Sequence, residues 1–193
     1  MKEKIRSRID ALRPLLKDPA PEVRLAAAEA IEKLEAAGSV DEILATLKAG
    51  DMGARIGAIY ALGEIGGERV LPPLFYCARR PEVDIRSAAA AVLGKLSSPA
   101  VLAVLVELLD DGDQSVQGRA IAGLCNFPVT PDILNKLRSF LNVSDGVIEA
   151  EAAVTLARLK DLPSLSRIQT LLTSQYASTR QAAATALSIF PVQ

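Results

Sequence analysis

One short phrase recurs six times along this chain at a nearly fixed interval, and no other feature restricts its fold as tightly. The marker positions are Arg24, Arg55, Arg86, Gln117, Glu149 and Arg180, separated by 31, 31, 31, 32 and 31 residues. Three residues after each marker stands an alanine (Ala27, Ala58, Ala89, Ala120, Ala152, Ala183). Seven after each stands a large aliphatic residue (Ile31, Leu62, Leu93, Leu124, Leu156, Leu187). A period of this length held six times is the pattern of a stacked-repeat solenoid, in which each unit hides its apolar side against the next.

Each unit reads as two helices. In the second, offsets 3, 4, 7 and 10 from the marker are apolar or small, as in Ala89, Ala90, Leu93 and Leu96, which is one face of a helix and not the alternation of a strand. The first helix carries two aliphatic columns. Ile9, Val40, Leu71, Leu102, Leu134 and Leu165 form one, and Leu12, Ile43, Leu74, Leu105, Leu137 and Ile168 the other. Turn residues separate the units at Gly38-Ser39, Gly66-Gly67, Ser97-Ser98-Pro99, Pro128 to Pro131 and Asp161-Leu162-Pro163. Bends within units fall near Asp18-Pro19, Gly50-Asp51, Arg80-Pro81, Asp111-Gly112-Asp113, Ser144-Asp145-Gly146 and Ser174, where side-chain oxygens are placed to cap the second helix. The predicted class is all-α: an α-α superhelix of six helical hairpins, about twelve helices in one domain over 1–193. Its repeats run approximately 1–37, 38–67, 68–98, 99–129, 130–161 and 162–193.

Composition agrees with this. Half of the residues are apolar, 4% are aromatic and none is tryptophan, so alanine, leucine, isoleucine and valine must fill the interior. A net charge of −1 gives no general reason to expect nucleic acid or an anionic membrane as partner. No run approaches 18 apolar residues and the N-terminus has no apolar leader core, so the expected location is cytoplasmic, with no membrane contact. Lys2, Lys4, Arg6, Arg8, Arg13 and Lys17 outnumber Glu3 and Asp10 at the N-terminus, as the solvated face of a cap or as a docking site for an acidic partner. Cys77 occupies a column that holds leucine elsewhere and reads as a core residue, while Cys125 flanks the buried stripe of its helix.

The run from Asp18 through Pro19-Ala20-Pro21-Glu22-Val23-Arg24 to Ala30-Ile31 resembles the core of a HEAT repeat. So do Gly53 to Gly66 and Arg80 to Ala90. With a period near 31, the chain most resembles the short HEAT-like repeat of the phycobilisome lyase type, over essentially its whole length. The resemblance implies a HEAT-like α-solenoid whose second helices line the concave side. It also implies a ladder between a turn aspartate and an arginine early in the second helix. Asp18 and Arg24 match that spacing, and Arg55, Arg86 and Arg180 keep the arginine opposite Ala49, Arg80 and Ser174. Gln117 and Glu149 break it, so the expected ladder is partial and its arginines structural.

Catalytic candidates are few. Without histidine the chain lacks the commonest general base and metal ligand, and the paired His-Glu motifs of HEAT-like iron hydroxylases cannot occur. HEAT-like DNA glycosylases use aromatic residues and a basic face that this composition does not provide. Glu107, Asp110, Asp111 and Asp113 cluster at one turn without the spacing of a calcium loop. The expectation is a non-catalytic scaffold with no cofactor and no metal, binding a protein partner of unknown identity. The face proposed for binding is a low-charge strip on the second helices: Leu25, Ile56, Tyr60, Ala91, Ala122 and Val154, with Lys95 and Arg158 at its margin. The plainer reading of those small residues is tight curvature. A rival patch on the first helices comprises Pro73, Phe75, Tyr76 and Val104, and the apolar end Ile189-Phe190-Pro191-Val192 could join two copies. The alternative function implied by the resemblance is an accessory subunit of a bilin (phycobilin) lyase or a related pigment-handling complex. An idealised engineered array is a third reading, against which the unit-to-unit variation speaks.

Overall fold

A computed structural model describes residues 2–191, apart from the side chains of Lys2, Ala36 and Ala37. The described residues form eleven α-helices linked by 3-10 turns and loops, with no strand. The chain divides into two compact units, Met1–Gly66 and Gly67–Gln193.

In the first unit, α1 (Lys2–Leu12) and α3 (Met52–Ile65) both pack on α2 (Pro21–Ala49). The length of α2 corrects one expectation: Gly38-Ser39 makes no turn, and the second helix of repeat one continues into the first helix of repeat two. Eleven helices replace about twelve for this reason. One glycine costs a helix interior only about 1 kcal/mol. Here Ile5 of α1 lies over Gly38, 3.9 Å from where a Cβ would stand, and Ser39 Oγ donates back to the Glu35 carbonyl at 3.1 Å. By contrast, Gly66 and Gly67 have φ of 65° and 77°, a left-handed region that glycine enters without penalty, and there the helix does stop. Asp51 caps α3 by accepting the Ala54 N–H at 2.8 Å. An Asp51→Ala variant is expected to lose about 1 kcal/mol of stability, measured by urea melt.

The second unit contains four helical pairs in chain order: α4 (Leu71–Cys77) with α5 (Val83–Leu93), α6 (Pro99–Leu108) with α7 (Gln114–Gly123), α8 (Pro131–Ser139) with α9 (Ile148–Arg158), and α10 (Leu165–Thr170) with α11 (Ala177–Ile189). Pro99 and Pro131 open α6 and α8, where the missing N–H has no partner to lose. The marker-plus-three alanines are buried in both units, and the marker-plus-seven residues are buried from Leu62 to Leu156 and half-buried at Ile31 and Leu187. Cys77 is buried in the core, as expected.

Successive second helices of this unit pack directly on one another, α5 on α7, α7 on α9 and α9 on α11. Successive first helices do not do so to a comparable extent among the described residues. The second helices therefore form the short, inner side of this unit. Two glycines bring the backbones together: a Cβ at Gly94 would stand 2.7 Å from the Gly123 Cα, and one at Gly123 would stand 2.8 Å from the Gly94 Cα.

Polar rungs join the outer side. Arg79 grips Glu107 with Nε and Nη2, Lys136 pairs with Asp110, and Arg167 donates through Nε and Nη2 to the Leu141 carbonyl at 3.1 and 2.8 Å. Arg138 likewise holds the buried Asp161 with two nitrogens. The acidic turn is thereby accounted for residue by residue. Glu107, Asp110 and Asp111 each meet a cation, and Asp113 caps α7 through the Ser115 N–H at 2.8 Å. Among the described residues no cluster of three metal-type ligands occurs.

Candidate functional site

The offsets that make the core leave a second face uncovered. In the second unit this face carries Ala91 on α5, Ala122 on α7 and Val154 on α9, all half-buried and on helices that touch. Lys95 and Arg158 stand exposed beside them. In the first unit, Leu25 and Tyr60 are 62% and 45% exposed and Ile56 is half-buried. The residues read from the sequence as one strip thus divide between the two units.

Four further residues of the second unit border this row. Arg119 and Glu151 share offset 2 on α7 and α9, and Cys125 and Asn126 follow Ala122 on α7 and the turn after it. Glu151 lies over Gly118, with its Cγ 3.6 Å from where a glycine Cβ would stand. Burial pushes the Glu151 carboxyl up from its ordinary range, while the nearby Arg119 and Arg158 guanidinium groups pull it down. Arg158 Nη1 donates to Cys125 Sγ at 3.8 Å, and Asn126 Nδ2 donates to the Gly94 carbonyl at 2.8 Å. Periodicity sets Arg119 and Glu151 alongside the strip, since offset 2 borders offset 5 on a helix.

The ladder keeps the family pattern at one rung, and Arg24 and Arg180 bind main-chain oxygens of their own turn. Arg24 Nη1 donates to the carbonyls of Asp18 and Pro19 at 2.8 and 3.0 Å, and the Asp18 carboxylate accepts the Ala20 N–H of its own turn. Arg86 Nη1 does the same to Arg80 and Pro81, and Arg180 Nη1 to Ser174 and Gln175. The acceptors are main-chain oxygens six and five residues upstream, so the side chain at minus six is immaterial. That is why Arg80 and Ser174 serve as well as Asp18. Arg86 adds a true inter-repeat rung, with Nε and Nη2 on the two Asp111 oxygens at 2.8 and 2.9 Å.

Repeat five reverses the polarity of this clamp. Ser144 adopts φ 54°, and its N–H donates to Glu149 Oε1 at 3.2 Å, while Thr179 Oγ1 donates to Oε2 at 3.3 Å. Glu149 is only 3% exposed. A carboxylate at the marker thus does to a loop N–H what the arginines do to loop carbonyls.

The rival patch is smaller than expected. Tyr76 is exposed, with the Arg80 guanidinium 5.3 Å from its ring centroid and donating to its hydroxyl at 2.9 Å. Pro73 and Phe75 are half-buried, and Val104 is 5% exposed, because α6 turns it into the core. The apolar C-terminal end is also reduced: Ile189 and Pro191 are exposed, Phe190 folds inward, and Val192 lies outside the described residues. No helix among the described residues is long and apolar enough to cross a membrane.

The sequence profile of the family described as HEAT repeats matches residues 9–94, 40–125 and 102–188. No curated protein matches the chain. Among solved structures, it is similar to the complex of CpcE and CpcF of phycocyanin lyase from Nostoc sp. PCC7120, with 22% identity and a TM-score of 0.63 over 78% of this chain and 99% of that one. It is also similar to a designed armadillo repeat protein in complex with the peptide (KR)4, with 19% identity and a TM-score of 0.54 over 95% and 99%. At such identities the likeness is one of fold: an all-α array of helical repeats.

Proposed function

We propose, for a chain that belongs to the HEAT-repeat family, the role of a non-catalytic protein-binding adaptor that receives its partner on the face of its second helices. The observation that carries this reading is the set of half-buried residues Ala91, Ala122 and Val154 on directly packed helices, with exposed cations beside them. A shallow apolar row with a polar margin suits a partner helix or extended segment. The family fold supports an interaction role in general. The absence of histidine from the sequence supports a binding protein over an acid–base catalyst, and the proposed location is the cytoplasm.

The test is affinity capture with mass spectrometry on the parent chain and on Val154→Glu, Tyr60→Glu and Tyr76→Glu. Loss of one partner with Val154→Glu, at unchanged helical content, is the expected result. Loss with Tyr76→Glu alone would transfer the function to the first-helix side.

The likeness to the phycocyanin lyase complex favours a second reading, as an accessory subunit of a bilin-handling complex. Co-expression with a bilin and a phycobiliprotein separates the two. A visible absorption band that depends on this chain belongs to the second reading alone.

A further inference from the structure

The cations of the second unit are distributed unequally between paired and unpaired sites. On its outer helices and turns they are engaged: Arg79 with Glu107, Arg80 with Glu82, Lys136 with Asp110, Arg138 with Asp161, and Arg167 with a carbonyl; at the starts of the second helices Arg86 is held by Asp111 and Arg180 by two carbonyls. On the inner face, Lys95, Arg119 and Arg158 are exposed and form no ion pair among the described residues. Lys95 lies in the turn after α5, and Arg69 and Lys160, in other turns, likewise form no ion pair among the described residues. The one carboxylate near Arg119 and Arg158 is Glu151, half-buried and partly desolvated. Around the apolar row three cations stand against two acids, Glu151 and the exposed Asp84 one heptad before Ala91, although the whole chain carries a net charge of −1.

From this imbalance we infer that the inner face of the second unit receives an acidic segment of a partner protein, with carboxylates toward Lys95, Arg119 and Arg158 and apolar side chains on Ala91, Ala122 and Val154. The inference rests on the adaptor reading and adds the chemistry of the partner. Lys95 on the α5 side and Arg158 on α9 are two helix spacings apart, about 20 Å at 8–10 Å per packed pair. An extended chain covers that span in about six residues. Complementary charge sets which segment is accepted and how fast it arrives, while the apolar row holds it. The designed armadillo protein of similar fold is in complex with a basic peptide; the cations here lie on the protein, so the polarity is opposite.

The experiment measures fluorescence anisotropy of three labelled probes against the full chain: an alternating glutamate–leucine peptide, its lysine–leucine counterpart, and an oligothymidylate. The expected result is binding of the acidic peptide, weakening as salt rises. An Arg119→Glu, Arg158→Glu double variant should bind it about tenfold or more weakly and gain affinity for the lysine peptide. Should that variant lose helical content, Lys95→Gln and Arg119→Gln supply the same comparison without charge reversal. Preference of the parent chain for the lysine peptide, or affinity unchanged by the substitutions, would overturn the inference. Tighter binding of the oligothymidylate would overturn it in favour of a phosphate backbone. If partner capture depends on Val154 but the acidic peptide does not bind, the charge assignment falls and the adaptor reading stands.

Discussion

An Arg86→Leu variant is expected to lose about 3 kcal/mol of stability, at the low end for a broken buried ion pair because both partners keep some exposure. The guanidinium does two things at once. Nη1 satisfies the carbonyls of Arg80 and Pro81, and Nε with Nη2 satisfies both oxygens of Asp111 in the next repeat. Leucine keeps the apolar stem and leaves a largely buried carboxylate facing no cation. Acid provides the diagnostic. The hydrogen bonds from Arg86 hold the Asp111 carboxyl below its ordinary range. As pH falls, the unfolded chain therefore takes up this proton before the folded one does. Stability from the pair is complete above about pH 4 and drains away as pH drops through the folded value. Urea melts should show the gap between parent and variant narrowing below pH 4; a gap independent of pH would mean that Arg86 acts only through the carbonyl clamp.

The second large effect concerns Gly94 and Gly123. Alanine at either position places a methyl carbon 2.7–2.8 Å from a backbone atom of the neighbouring repeat, a distance that requires the helices to separate. Overpacking of this kind costs about 1–3 kcal/mol. Neither residue has a positive φ, so the penalty is one of space and not of backbone conformation. The double variant should lose less than the two single losses together, since helices already forced apart accept the second methyl more readily. Gly118→Ala is the internal control. It lies on the same helix as Gly123, its nearest neighbour would be an ordinary 3.6 Å away, and alanine there should stabilise by about 0.5–1 kcal/mol. If Gly123→Ala melts like Gly118→Ala, the close approach of the two backbones is wrong.

Periodicity carried most of the architecture because every repeat must bury the same columns. Ala27 through Ala183 and Leu62 through Leu156 are buried where the offsets put them. The errors arose where one local signal was weighed without its surroundings. Gly38 reads as a breaker until Ile5 is laid across it, and a lone glycine does not outweigh that packing. The arginine ladder read as defective because side chains were compared at minus six, whereas the partners are backbone oxygens that no sequence displays. Glu149 read as a loss for the same reason; only the left-handed Ser144 reveals which backbone group the loop turns toward it. The binding row was legible as a set of small residues on one helical face. Its unpaired cations were not, because whether Arg119 or Lys136 is neutralised depends on a carboxylate more than twenty residues distant.

Backbone contact on the inner edge of the second unit and ion pairs on its outer edge give that array unequal compliance. The glycine contact can neither shorten nor slide without steric collision, whereas Arg79 and Glu107 are each half exposed and respond to dissolved ions. Between repeats three and four, splaying of the outer helices is therefore the easier movement, like the ribs of a fan about a rivet. Concentrated salt is expected to loosen the exposed Arg79–Glu107 rib and to leave the glycine rivet and the buried Arg86–Asp111 pair in place.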